Sequence, residues 1–282
     1  MKLTRQMLVT AACLLVLACG GNSRRTVAAA QPSPMPLWFP SGDARLAFTL
    51  DLPPGPGPFP AVVVGHGSGR VTRADLQWFA GHWTALGFAV LRFDKRGVGE
   101  STGAYSMVGV SNSDRMIPLL ASDIEAGVRF LKTRAEIDPR RIGLAGNSQA
   151  GWILPHAARN LGDQVKFLVL FSGPVCSVGL EIYYSDFAEE TDTPLPEVYT
   201  RMGDFRGPPG YDNYPTIEAV KTPSLWLLGA DDRSIPIRPI VANLQKLAAG
   251  GHPVEWRMYD GLGHSLAPHV WDDVRSWVAR FK

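Results

Sequence analysis

Short apolar runs alternate with longer segments of helical spacing along most of the chain. Arg45 to Leu52 shows a period of two. Ala61 to Gly65, Phe88 to Phe93, Arg141 to Ala145, Phe167 to Phe171 and Ser224 to Leu228 are near-continuous apolar runs, and Val254 to Tyr259 alternates again. Runs of this length read as strands, the continuous ones as strands covered on both faces. Between them, Ala74 to Leu86, Ile117 to Arg134, Gln149 to Asn160, Pro239 to Ala249 and Ala267 to Phe281 carry apolar residues at helical spacing. In the last of these, Val270, Val274, Trp277, Val278 and Phe281 mark one face. The alternation predicts an α/β domain with a mostly parallel, doubly wound sheet. The first strand is closed by Pro53-Pro54-Gly55-Pro56-Gly57-Pro58 and suits an antiparallel edge.

Two stretches break this rhythm. Pro174 to Thr222 holds nine acidic residues against Arg201, Arg206 and Lys221, and five of the seven tyrosines: Tyr183, Tyr184, Tyr199, Tyr211 and Tyr214. It reads as a cap inserted between two strands, one that would lay aromatic walls over a site at the sheet edge and exclude water. Its negative balance disfavours strongly anionic substrates. At the N-terminus, Lys2 and Arg5 precede the apolar run Met7 to Ala18, the layout of a secretory signal and too short to span a bilayer comfortably. The expected organisation is a signal over 1–18, a flexible Ser-, Ala-, Pro- and Gln-rich tether over 19–36, and one domain over 37–282 with a cap at about 174–222.

Composition narrows the chemistry. A net charge of +2 with 19% charged residues and no basic cluster argues against nucleic-acid binding. Cys13, Cys19 and Cys176 form no disulfide framework. There is no H-E-x-x-H and no paired cysteine spacing, so no metal is expected. No G-x-G-x-x-G follows a strand, so no dinucleotide or other cofactor is implied.

The most informative local sequence is Leu144-Ala145-Gly146-Asn147-Ser148-Gln149-Ala150-Gly151, an apolar strand that stops at a small-residue turn and resumes as a helix. A sharp strand-to-helix turn of this kind lifts a serine hydroxyl over the C-terminal edge of a sheet. Gly146 supplies the first small position, and Ala150 stands where the second glycine is usual. Partners follow in the order serine, acid, histidine. Asp231 and Asp232 lie just past the strand Ser224 to Leu228, and His264 sits in the glycine-flanked loop after Val254 to Tyr259. A serine hydroxyl is a poor nucleophile until an imidazole takes its proton, and that imidazole needs a carboxylate to hold its tautomer. Among the other histidines, His66 reads as a loop brace, His82 as a packed or surface residue, and His156 as packing beneath the site. His252 and His269 read as loop and surface positions.

These segments resemble the α/β-hydrolases of the dienelactone-hydrolase and serine-aminopeptidase-like branch. Two further motifs carry the likeness: Gly65-His66-Gly67-Ser68-Gly69, similar to the oxyanion segment, and Phe93-Asp94-Lys95-Arg96-Gly97-Val98-Gly99-Glu100-Ser101, similar to the loop after the next strand. The resemblance implies Ser148 as nucleophile, His264 as base and Asp232 as the acid, four residues before Pro236, with Asp231 as the alternative. It implies the backbone N–H groups of Ser68 and Gln149 as oxyanion donors. The expected reaction is hydrolysis of a small ester through an acyl-enzyme; a peptidase, amidase or thioesterase would use the same groups. A non-catalytic binding lipoprotein is a further alternative, favoured only by Ala150. Val16-Leu17-Ala18-Cys19-Gly20 resembles a bacterial lipobox, which implies a lipid anchor at Cys19 and attachment to a cell membrane or outer membrane, otherwise a periplasmic or secreted protein.

Overall fold

The computed structural model describes residues 37–188 and 193–282. The expected signal, tether and Cys19 lie outside the described residues, and no described helix is long and apolar enough to cross a membrane.

Among the described residues, eight strands form one sheet in the order β1-β2-β4-β3-β5-β6-β7-β8. They are β1 (Leu37–Ser41), β2 (Ala44–Asp51), β3 (Phe59–Gly65), β4 (Ala89–Phe93), β5 (Ile137–Asn147), β6 (Leu168–Phe171), β7 (Ser224–Gly229) and β8 (Val254–Tyr259). From β4 to β8 every neighbouring pair is parallel, with Val62 opposite Val90 and Val64 opposite Ala145. β1 and β2 are antiparallel to their neighbours, with Phe48 opposite Phe93. The strand starting near Arg45 is therefore antiparallel as expected but not at the edge, a position taken by β1. That strand escapes a periodicity reading because Pro40 interrupts a five-residue run, and an edge strand is where proline is tolerated.

The pleat assigns side chains to two cores. Ala61 and Val63 of β3, Leu91 of β4 and Trp226 of β7 face one layer, built from α2 (Ser113–Leu131), α3 (Ala150–Leu161) and α7 (Ile237–Ala249). Val62, Val64, Val90 and Leu225 face the other, where α1 (Gln77–Ala85) and α8 (Val270–Val278) contribute Trp83, Val274 and Trp277. Continuous apolar runs are thus strands buried on both sides, each residue serving the opposite layer to its neighbour. The chain leaves β3 for β4 on one side and returns to β5 on the other. Such a reversal opens a crevice at the C-terminal ends of the strands.

The connection from β6 to β7 holds α4 (Val178–Ala188), α5 (Leu195–Met202) and α6 (Tyr214–Ala219). Tyr184, Ala188 and Val198 form a small core of their own, packed with Tyr199 and Met202.

Candidate active site

β5 ends at Asn147 and α3 begins at Ala150, so Ser148 lies on the turn between them with φ of 53°. A non-glycine residue in the left-handed region is strained, and here the turn is held by flanking hydrogen bonds. Ser148 N–H donates to the Phe171 carbonyl at 2.9 Å, and Gly151 N–H donates to the Ser148 carbonyl at 2.8 Å. Ala150 fits because it is already helical and buried, with its methyl filling space that Gly146 and Gly65 leave open.

Past the end of β7, Asp232 is fully buried, whereas Asp231 is exposed. Asp232 Oδ1 accepts the N–H groups of Ser234 at 2.8 Å and Ile235 at 3.0 Å, and Oδ2 lies 2.8 Å from His264 Nδ1. Facing a carboxylate, Nδ1 is assigned the proton, which leaves Nε2 as the lone-pair nitrogen. Of the two neighbouring aspartates, it is Asp232 that contacts His264. Two contacts brace this pair: the Tyr184 hydroxyl of α4 donates to the Asp232 carbonyl at 2.7 Å, and the Ser172 hydroxyl donates to the His264 carbonyl at 2.8 Å. Ser172, at φ of 46° just beyond β6, gave no sign of this role in the sequence.

Ser148, Gln149, Ser68 and His264 share the wall of one cavity of about 620 Å³. α4 closes it with Val178, Glu181, Ile182, Ser185 and Asp186. The expectation of aromatic walls from the cap tyrosines is not met. Tyr184 and Tyr199 pack on each other within the cap, and Tyr211 bonds His156 and Thr216. A buried hydroxyl usually takes a partner, and those of Tyr184 and Tyr211 take theirs at Asp232, His156 and Thr216, away from the cavity wall.

The loop after β4 holds a residue whose part was not read from the sequence. Lys95, 3% exposed, donates from Nζ to the Gly67 carbonyl at 2.8 Å, the Gly69 carbonyl at 3.1 Å and Gln149 Oε1 at 2.9 Å. It thereby ties the residues flanking Ser68 to Gln149. Burial lowers its pKa to about 8. His66, on the same loop, donates from Nε2 to the Phe93 carbonyl at 2.7 Å, and burial lowers its pKa to about 4, so it is a neutral brace. The rest of the motif is an anchor. Asp94 binds Arg73, which also pairs with Glu100, and the Arg96 guanidinium meets the buried Asp123 through Nη2 at 2.6 Å and Nε at 3.2 Å. The only signal for these contacts was the density of charged residues and glycines just after an apolar strand.

Strand order, switch point and the turn at Ser148 define an α/β-hydrolase fold. The chain belongs to the prolyl oligopeptidase family, whose model matches residues 72–280. It is 28% identical over 228 residues to the acylamino-acid-releasing enzyme of Rattus norvegicus, covering 76% of this chain and 30% of that one. It is 26% identical over 247 residues to acyl-coenzyme A thioesterase 6 of Mus musculus, covering 81% and 54%. Relatives from Escherichia coli and Mycobacterium tuberculosis are covered over only 41% and 64% of their length. An esterase of Pyrococcus furiosus has a similar structure, with a TM-score of 0.67 at 17% identity over 87% of this chain and 90% of that one. Family and fold alike are those of serine hydrolases.

Proposed function

We propose that the protein hydrolyses small carboxylic esters through an acyl-enzyme on Ser148. The observation that carries this reading is His264, which shares a cavity wall with Ser148 while its Nδ1 meets the buried Asp232 carboxylate at 2.8 Å. His264 takes the Ser148 proton as the hydroxyl attacks the ester carbonyl and returns it to the leaving oxygen. Water then repeats the sequence on the acyl-enzyme. The N–H groups of Ser68 and Gln149 receive the developing oxyanion, the step at which fixed dipoles contribute most.

Amide and thioester hydrolysis use the same groups, and relatives bear names of both kinds. The cavity favours neutral esters over a coenzyme A thioester: its described lining includes Glu181 and Asp186 and no lysine or arginine, so a polyphosphate would meet no counter-charge there. We also propose export, with Cys19 as the lipidated residue, on the sequence of the first 20 residues alone. Incorporation of labelled palmitate that Cys19→Ser abolishes would support it.

The test of the hydrolase reading is Ser148→Ala assayed on a short-chain nitrophenyl ester, together with fluorophosphonate labelling. Turnover should fall by roughly 10⁴-fold or more and labelling should vanish. Retention of most activity or of the label would overturn it.

A further inference from the structure

His264 belongs to two cavities. Besides the one it shares with Ser148, it lines a second of about 270 Å³, in whose wall neither Ser148, Gln149 nor Ser68 takes part. The second cavity is aromatic. Trp78 and Phe79 of α1, Phe171 at the end of β6, Leu266 after β8 and Trp271 of α8 form its apolar wall. The rings brace one another: Phe79, Phe171 and Trp271 lie with centroids 5.0 to 5.3 Å apart. Trp78 meets Trp271 edge-on at 6.3 Å yet remains 58% exposed. Although it also meets the His82 ring edge-on at 4.3 Å, the indole keeps a large apolar surface in water that a ligand ring would cover.

The chemistry of ester cleavage divides a substrate at this histidine. The acyl half stays with the oxyanion donors, in the cavity that holds Ser148, Ser68 and Gln149. The alcohol half leaves on an oxygen that must come within hydrogen-bond reach of His264 Nε2 to receive its proton. Its substituent is therefore directed along the imidazole, toward whatever lies on that side. We infer that the aromatic cavity beside His264 is a leaving-group subsite, shaped for a neutral alcohol bearing one aromatic ring. The size agrees, since an apolar cavity of about 150 Å³ already admits benzene. Its rim sets the charge. The Asp75 carboxylate accepts the N–H and hydroxyl of Thr72, both at 2.8 Å, which hold its pKa below the ordinary value and keep it ionised. Leaving groups that carry a carboxylate or phosphate are repelled there.

This inference rests on the ester-hydrolase reading, and its test separates the two. Benzyl and methyl acetate share an acyl group, and their alcohols have similar acidity, so a difference in kcat/KM reports binding of the leaving group. The wild-type protein should prefer benzyl acetate by tenfold or more, and Trp78→Ala should lower that ratio by roughly tenfold. The reverse step adds a second reading. Benzyl alcohol added to the acetyl-enzyme passes its proton through His264 back to Ser148, and the ester forms as the serine–acyl bond breaks. Trp78→Ala should lower the yield of benzyl acetate relative to acetate by the same factor.

Methyl phenylacetate carries the ring on the acyl side. If Trp78→Ala penalises this ester rather than benzyl acetate, the cavity takes the acyl half and the inference fails. Equal kcat/KM for benzyl and methyl acetate in the wild type overturns it as well. Because fluorophosphonate labelling of Ser148 needs no leaving-group selectivity, intact labelling with either result confines the failure to the subsite. Trp78 is exposed on the surface of α1, and matching thermal unfolding of the variant and the wild type verifies that its fold is kept.

Discussion

Lys95 Nζ donates to Gln149 Oε1 at 2.9 Å, across 54 residues of chain, and so joins the loop after β4 to the turn after β5. With the Gly67 and Gly69 carbonyls it has three acceptors. An ammonium offers three N–H donors and a neutral amine two, so this arrangement requires the charged form. Lys95→Met should reduce kcat by roughly 10- to 100-fold with KM little altered, since the Ser68 and Gln149 amides would be misplaced only for the developing oxyanion.

The same lysine sets an alkaline limit. With a pKa lowered by burial to about 8, it loses its proton above that pH, and wild-type kcat should decline there while the Lys95→Met profile stays flat. His66, neutral above about pH 4, does not titrate in this range. Unfolding would not explain the decline. Between about pH 8 and the ordinary lysine value of 10.5, the unfolded chain binds more protons at this site than the folded one, so the group's contribution to stability rises with pH. Denaturant midpoints measured alongside kcat check the opposite signs.

A Cβ on Gly146 would stand 2.6 Å from the Ala150 methyl and 2.7 Å from the Gly65 carbonyl oxygen. Gly146→Ala should therefore destabilise the protein by about 1–3 kcal/mol and abolish most fluorophosphonate labelling, as overpacking forces the turn open. The double variant with Ala150→Gly should not restore labelling, because the clash with the backbone oxygen remains. Ala150→Gly alone should cost about 1 kcal/mol and bring no gain in turnover. Thermal melts with labelling of each variant check these outcomes.

Asp232→Asn should lower kcat by roughly 10⁴-fold with little loss of stability. The Ser234 and Ile235 N–H groups demand an acceptor, so the amide oxygen takes the place of Oδ1 and the amide nitrogen faces His264. An N–H pointed at Nδ1 favours the tautomer protonated on Nε2, which cannot accept the Ser148 proton. Single-turnover kinetics with a nitrophenyl ester should show the loss in acylation.

Cys176 is 3% exposed, and burial raises its thiol well above the ordinary value. In a chain with Cys13 and Cys19 replaced by serine, a thiol reagent should find no reactive group in the native protein and one after denaturation. The buried thiol is unreactive because the thiolate is the nucleophile and its charge is disfavoured there.

Several elements and two candidate site residues were legible along the chain. Continuous apolar runs marked β3 to β7, since a strand covered on both faces has no polar side, and helical spacing marked α2, α3, α7 and α8. Ser148 and His264 announced themselves through the small residues and glycines that their turns need, a requirement met within a few positions. β1 was lost because Pro40 and a short run leave too little period to read.

What only the tertiary structure decided depends on residues far apart in sequence. Asp231 and Asp232 are chemically alike, and burial against the His264 loop chooses between them. Lys95 was one charge among several in its motif until the fold set Gly67, Gly69 and Gln149 around its ammonium. The tyrosines of the cap looked like pocket walls, yet Trp78, Phe79 and Trp271, from helices near opposite ends of the chain, line the cavity beside His264. Local pattern determines which face of a strand or helix is buried. Strand order and packing determine which distant side chains that burial brings together.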